Sequence, residues 1–200
     1  MGCATDRISA DLLADCLNLS VAGIEADVIL IPIKDIDKTA STLDAENPQL
    51  VTKLQLKPGA TGYKLEGVKQ LAGFNSEFVL GDEQTLDKWR HSFNGVILTP
   101  STENRNEANK LTKGENYIIV VNKKWKGANE ADAFLVLGWE AGLRVSEMTE
   151  NSRENNAAIL FTLSSADTML ENNMPKNLLE IDYATTLTAF GNKFIQAPEV

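Results

Sequence analysis

Two apolar runs separated by a polar one constrain this chain more than any other feature. From Ala133 the sequence reads AFLVLGWEAGLRV, passes through the polar EMTENSRENN, and returns as AAILFTL up to Leu163. The odd positions Leu135, Leu137, Trp139, Ala141, Leu143 and Val145 stay apolar, while the even ones change from Phe134 and Val136 to Glu140, Arg144 and Ser146. A period of two belongs to a strand, here buried on both faces at its start and on one at its end. Gly138 and Gly142 share the second face, where glycine weakens a strand unless a bulge or bend needs the room. The pattern therefore predicts a single curved strand from Ala133 to Val145. Ala157, Ile159, Phe161 and Leu163 form the returning strand, and the polar run between them becomes the connection of a hairpin.

With 200 residues, 43% of them hydrophobic, the chain can bury a sizeable core. The expectation is one domain over 1–200, with a possible N-terminal arm at 1–26. A net charge of -9 and a pI near 4.7 argue against a protein that grips phosphate backbones, which requires clustered Lys and Arg. No apolar run approaches the roughly 18 to 20 residues that span a bilayer, and no basic segment followed by an apolar one marks an export signal, so no membrane association is expected. Met1-Gly2-Cys3 reads as an ordinary N-terminus rather than a lipidation site, because no apolar segment precedes the cysteine. Cys3 and Cys16 are too few for a disulfide framework.

Along the chain, Leu12, Leu13, Cys16 and Leu17 suit either a short amphipathic helix or an extended arm. Val28 to Ile33 is a β-branched strand, with Pro32 pushing its end toward a sheet edge or bulge. Asp35, Asp37 and Asp44 lack the glycine and terminal glutamate of a calcium loop and read as a solvated connection. Leu50 to Lys57 alternates as a half-exposed strand, Pro58 to Gly62 is a turn, and Tyr63 to Val68 returns as its hairpin partner. Phe74 to Leu80 is extended, whereas Glu83 to Arg90 suits helix or strand.

Ser101 to Lys113 carries a Ser cap, early glutamates, late lysines and Gly114 just beyond, the signals of a helix; its apolar face holds only Ala108 and Leu111. Tyr117 to Val121 is a strand, ended by Lys123, Lys124, Trp125 and Lys126. A tryptophan among lysines can stack on a nucleic-acid base, but a packed ring with solvated lysines fits the acidic chain better. Ser164, Ser165, Asp167 and Glu171 suggest a short capped helix or turn. Asp182 caps a last segment with Tyr183, Leu187, Phe190 and Phe194 at helical spacing, opposed by the strand preference of Thr185, Thr186 and Thr188. The expected class is mostly antiparallel β, a sandwich or half-barrel with one or two helices.

Machinery for catalysis is missing from the pattern. There is no glycine-rich phosphate loop, no nucleophile elbow and no metal-spaced His and Cys set, and His91 is the single histidine, solvated or packed. No catalytic, cofactor-binding or metal-binding residue is expected, and the chain does not read as an enzyme. For a carbohydrate-binding module, Trp89, Trp125 and Trp139 are the aromatic candidates.

The order of elements, with ENYIIVVNKKWKG, AFLVLGWEAGLRVSEM and NNAAILFTLSS, resembles the major tail tube proteins of long-tailed bacteriophages, in particular a type found in phages of gut bacteria. The likeness covers about residues 20–195 and rests most on Gly-Trp-Glu-Ala-Gly-Leu at 138–143. It implies a virion protein, assembled in the host bacterial cytoplasm, whose β-sandwich subunits join six to a ring. Rings stack into a tail tube through which DNA passes without specific binding. Its partners would be further copies of itself, the tape measure, the tail terminator, and the baseplate or sheath. A connector or tail terminator, forming rings without tubes, is the alternative of the same kind. Long polar connections at 34–49 and 146–156 are expected to reach neighbouring rings.

Overall fold

Val28 to Ile31 and Ile118 to Val121 are apolar at every position, so neither can show one face to water. In the computed structural model, which describes residues 10–66, 71–82 and 86–196, both lie inside a large sheet covered on both sides. The strands are β1 Ile24–Pro32, β2 Thr42–Leu43, β3 Leu50–Lys53, β4 Tyr63–Glu66, β5 Gly73–Val79, β6 Lys88–Ile97, β7 Tyr117–Lys123, β8 Phe134–Leu137, β9 Arg144–Glu150, β10 Ile159–Ser164 and β11 Lys176–Leu178. Two helices join them, α1 Thr102–Leu111 and α2 Tyr183–Gly191. A seven-stranded sheet runs β2-β3-β11-β8-β7-β1-β4 and a four-stranded one β5-β6-β10-β9. Every strand pair is antiparallel except β11 against β3. The architecture is a mostly β sandwich with two helices.

Alternate residues of the large sheet serve two different cores. Ile29, Ile31, Ile118, Val120, Phe134 and Val136 pack beneath α2, which contributes Phe190 and, just beyond its end, Phe194. Val28, Leu30, Ile119, Val121, Leu135 and Leu137 face the small sheet and meet its Phe93, Phe161 and Leu163. Both helices start on the expected caps: Ser101 accepts the N–H of Asn104, and Asp182 that of Thr185. In the last helix the threonines are accommodated because Thr186 turns its hydroxyl back to the carbonyl of Asp182 at 2.8 Å. No helix among the described residues is long and apolar enough to cross a membrane.

Several expectations fail for identifiable reasons. Ala133 to Val145 is not one curved strand. β8 stops at Leu137, a turn closed by Gly142 N–H to Gly138 O at 3.0 Å follows, and β9 continues in the other sheet. Gly138 and Gly142 have φ of 73° and 77°, open to glycine and strained for other residues. The alternation survives this break because Leu135, Leu137, Leu143 and Val145 all contact the same interlayer core, reached from either side. The hairpin does exist, but its first arm is β9, so residues 146–150 are strand and the connection shortens to 151–158.

Leu50–Lys57 and Tyr63–Val68 are not partners either. β3 lies beside β2 and β11, and β4 lies beside β1 at the opposite edge; residues 67–70, including Val68, fall outside the described residues. Leu54 and Leu56 are buried under α2 and carry the chain from one edge to the other, which a hairpin turn cannot do. The connection 34–49 is tied down too. Asp37 accepts the amides of Thr39 and Ala40, and Asp44 those of Glu46 and Asn47. The segment from Ser165 to Pro175 contains turns and no helix. Lys88 to Arg90 is strand, while 83–85 lie outside the described residues. Before β1 the chain from Ala10 is an arm without strand or helix; it ends at Gly23 rather than Ala26, because Glu25 and Ala26 already belong to β1. The residues Met1 to Ser9, with Cys3, are not described, and Cys16 is exposed and free.

Candidate assembly surface

The small sheet buries one face and presents the other. Phe93, Phe161 and Leu163 point into the interlayer core, so strand alternation sends their neighbours outward. Register then builds rows across all four strands: Asn75, Ser92, Ser164 and Arg144 in one, and Gly73, Asn94, Thr162 and Glu147 in the next. These side chains are exposed or half-buried. Their hydrogen bonds run along the surface, Thr162 Oγ1 donating to Asn94 Oδ1 at 3.0 Å. Arg90 on this face is neutralised locally, bridging Glu77 at 2.8 Å and Asp167 at 2.6 Å. The result over these rows is a polar face of short side chains together with Arg144 and Glu147.

That wall is bounded by two long terminal strands. β5 and β9 are the terminal strands of their sheet and seven residues long each. The large sheet ends more guardedly, in the two-residue β2 and in β4, where Lys64 pairs with Asp27 at 2.9 Å. Short edges resist pairing and long ones invite it, although β9 also carries Arg144, Glu147 and Glu150, the last of them bound by Arg105 of α1 at 2.6 Å. Uncovered apolar groups accompany the edges: Phe78, Leu80 and Leu86 at the far end of the β5–β6 hairpin are 52%, 76% and 79% exposed. On the arm, Leu12, Leu13 and Leu17 are 91%, 85% and 99% exposed. The arm is nevertheless held to the body, for Trp125 Nε1 donates to the Asn18 carbonyl at 3.1 Å and Lys124 N–H to that of Gly23 at 3.1 Å.

Residues singled out by sequence fall mostly outside this surface. Trp139 is buried, with Lys38 over its ring at 4.2 Å. Trp125 is half-buried under the arm, and Trp89 packs edge-on against Phe78 at 5.4 Å between centroids. In the basic cluster Lys124 is exposed as expected, whereas Lys123 and Lys126 are half-buried, contacting Asn177 and the Tyr183 hydroxyl 3.3 Å and 2.6 Å away. No group of three or more metal-ligating side chains occurs among the described residues.

His91 takes the packed alternative and belongs to a buried polar node at the crossing between the sheets. Its Nε2 meets the Asn173 carbonyl at 3.0 Å and its Nδ1 the Gly138 N–H at 3.2 Å, an arrangement that suits neutral imidazole with the proton on Nε2. Burial lowers its pKa to about 4. Glu171, expected only as part of a short capped helix or turn, is also buried; its carboxylate accepts the N–H groups of Glu140 and Ala141 at 2.8 and 2.9 Å. Burial raises its pKa and those two amides oppose the rise. Each of these groups is occupied by a structural partner, so the node clasps the 138–142 turn rather than offering a reactive atom.

Comparison with models of known families, with curated proteins and with solved structures finds no match to this chain.

Proposed function

We propose that this chain is a structural subunit whose small sheet continues from copy to copy into a ring, with rings stacking into a phage tail tube. The observation that carries the reading is the small sheet itself, a polar wall bounded by two long edges. Its strands alternate in direction, and four is an even number, so β9 runs antiparallel to β5. A rotated copy therefore brings its β5 beside β9 with the antiparallel pattern unbroken. Such head-to-tail contacts between unlike edges close into rings when the rotation between copies is a whole fraction of a turn. The exposed hairpin end and the leucines of the arm are further apolar surface for contacts between copies.

The hydrogen bonds within 34–49 and the shortening of the second connection by β9 favour the arm and the β5–β6 hairpin over the two long loops as means of reaching a neighbouring ring. In this reading the polar face of the small sheet lines the channel that DNA traverses, and the chain resides in the virion. Size-exclusion chromatography with negative-stain imaging of the purified chain tests it. Tubes support the proposal, rings that never stack point to a connector or terminator, and a particle that stays a monomer at all concentrations overturns it.

A further inference from the structure

Lys123 closes β7 and Asn177 sits in β11, with β8 between them. Val121, two residues before Lys123, pairs with Leu135, and Leu135 pairs with Asn177, so all four lie on the interlayer side of the large sheet. The lysine extends across β8 and its Nζ donates to Asn177 Oδ1 at 3.3 Å. The other end of that amide, Nδ2, donates to Asp132 Oδ1 at 2.7 Å. An amine, a primary carboxamide and a carboxylate thus meet from three separate segments.

Their surroundings hold them there. The Trp125 ring covers the ammonium at 5.2 Å from its centroid, and burial lowers the Lys123 pKa against the opposing pull of Asp132. Asp132 is fixed by its own N–H, which donates to the Lys126 carbonyl at 2.9 Å. Gly127, with φ of 71°, leaves room for the carboxylate, because a Cβ there would stand 2.8 Å from Cβ and Cγ of Asp132.

We propose that Lys123 and Asn177 join in an intramolecular isopeptide bond. The lone pair of Nζ, freed as the amine loses a proton, attacks Cγ of Asn177. The Cγ–Nδ2 bond breaks and an Nζ–Cγ amide replaces it. Asp132, beside Nδ2, carries the proton from the attacking amine to the departing nitrogen, which leaves as ammonia. One amide is exchanged for another, and no oxidant, metal or cofactor enters the balance. The bond would secure the weakest margin of the large sheet: β11 is three residues long, and β3 and β2 are attached to the remaining strands through it.

The purified full-length chain tests this by denatured intact mass and by peptide mapping after prolonged incubation. The expected result is a mass lower than the sequence mass by one ammonia, and a branched peptide joining Lys123 to Asn177. Lys123→Arg and Asn177→Ala should restore the full sequence mass of each variant. Asp132→Asn, with its fold checked by circular dichroism, should retain its full mass although both reacting groups remain. An intact mass equal to the sequence mass in the folded wild type overturns the proposal, whatever the variants do. So does an ammonia deficit located at a single asparagine, with Lys123 unmodified.

Discussion

Nδ1 of His91 accepts the backbone N–H of Gly138 at 3.2 Å, and through this bond the small sheet holds the point where the chain leaves the large one. A protonated imidazole has no lone pair to offer, so the bond requires the neutral ring.

Stability should therefore fall on acidification. The folded-state pKa of about 4 lies below the ordinary histidine value of 6.5, so the unfolded chain binds the extra proton first as pH drops. His91 thus contributes stability that is complete above about pH 6.5 and is lost as pH falls toward 4, at most about 3 kcal/mol from the size of the shift. Glu171, its pKa raised by burial, acts with the opposite sign, favouring the fold at low pH. Melting temperatures between pH 4 and pH 7 should fall more steeply in the wild type than in His91→Gln. Parallel curves would remove His91 as the source.

Gly142→Val should destabilise by about 2 to 5 kcal/mol, adding backbone strain to overpacking. Its φ is 77°, and a Cβ would lie 2.9 Å from Cβ of Asn116 and 3.3 Å from the Tyr117 nitrogen. Chemical denaturation measures the loss, and a change below 1 kcal/mol would show that the turn relaxes freely.

Proline scanning separates folding from assembly. Val120 lies in β7, paired with β1 on one side and β8 on the other, so Val120→Pro should prevent folding. In β5, alternate residues direct their N–H toward β6 and away from it. Of Ser76→Pro and Glu77→Pro, one should therefore fold and yet form no rings. If both variants assembled normally, β5 would not be an edge that joins copies.

Neither subunits nor assemblies should bind double-stranded DNA measurably at moderate salt. Arg90 is neutralised by Glu77 and Asp167, Lys123 and Lys126 are engaged internally, and the chain carries 28 acids against 19 bases. Titration by fluorescence anisotropy checks this. Binding that weakens steeply with salt, and disappears in an Arg90→Gln, Arg144→Gln variant, would refute the neutral-wall account.

What was legible in the sequence was local. The caps at Ser101 and Asp182, the doubly buried runs in β1 and β7, and the pairing of residues 157–163 with the segment before them follow from patterns a few residues long. Partnering across distance was not. β3 and β4 each alternate as their neighbours would require, yet pair at opposite edges, because alternation reports which face is buried and not against which strand. Gly138 and Gly142 gave a true signal of irregular backbone, but the unbroken run of odd-numbered apolar positions hid the change of sheet. The outer wall was invisible for a related reason: Ser92, Asn94 and Thr162 read as ordinary exposed positions until register aligns them.

The division of the large sheet between two cores makes immediate neighbours in the chain strangers in packing. Ile118 answers to the helix side and Ile119 to the small sheet, though one peptide bond joins them. Substitutions at such adjacent sites draw on different surroundings, and their effects should combine with little epistasis, whereas Ile118 and Phe190, 72 positions apart by number, share one fate. Sequence drift can then remodel the layer under α2 while the layer that shapes the wall keeps its geometry.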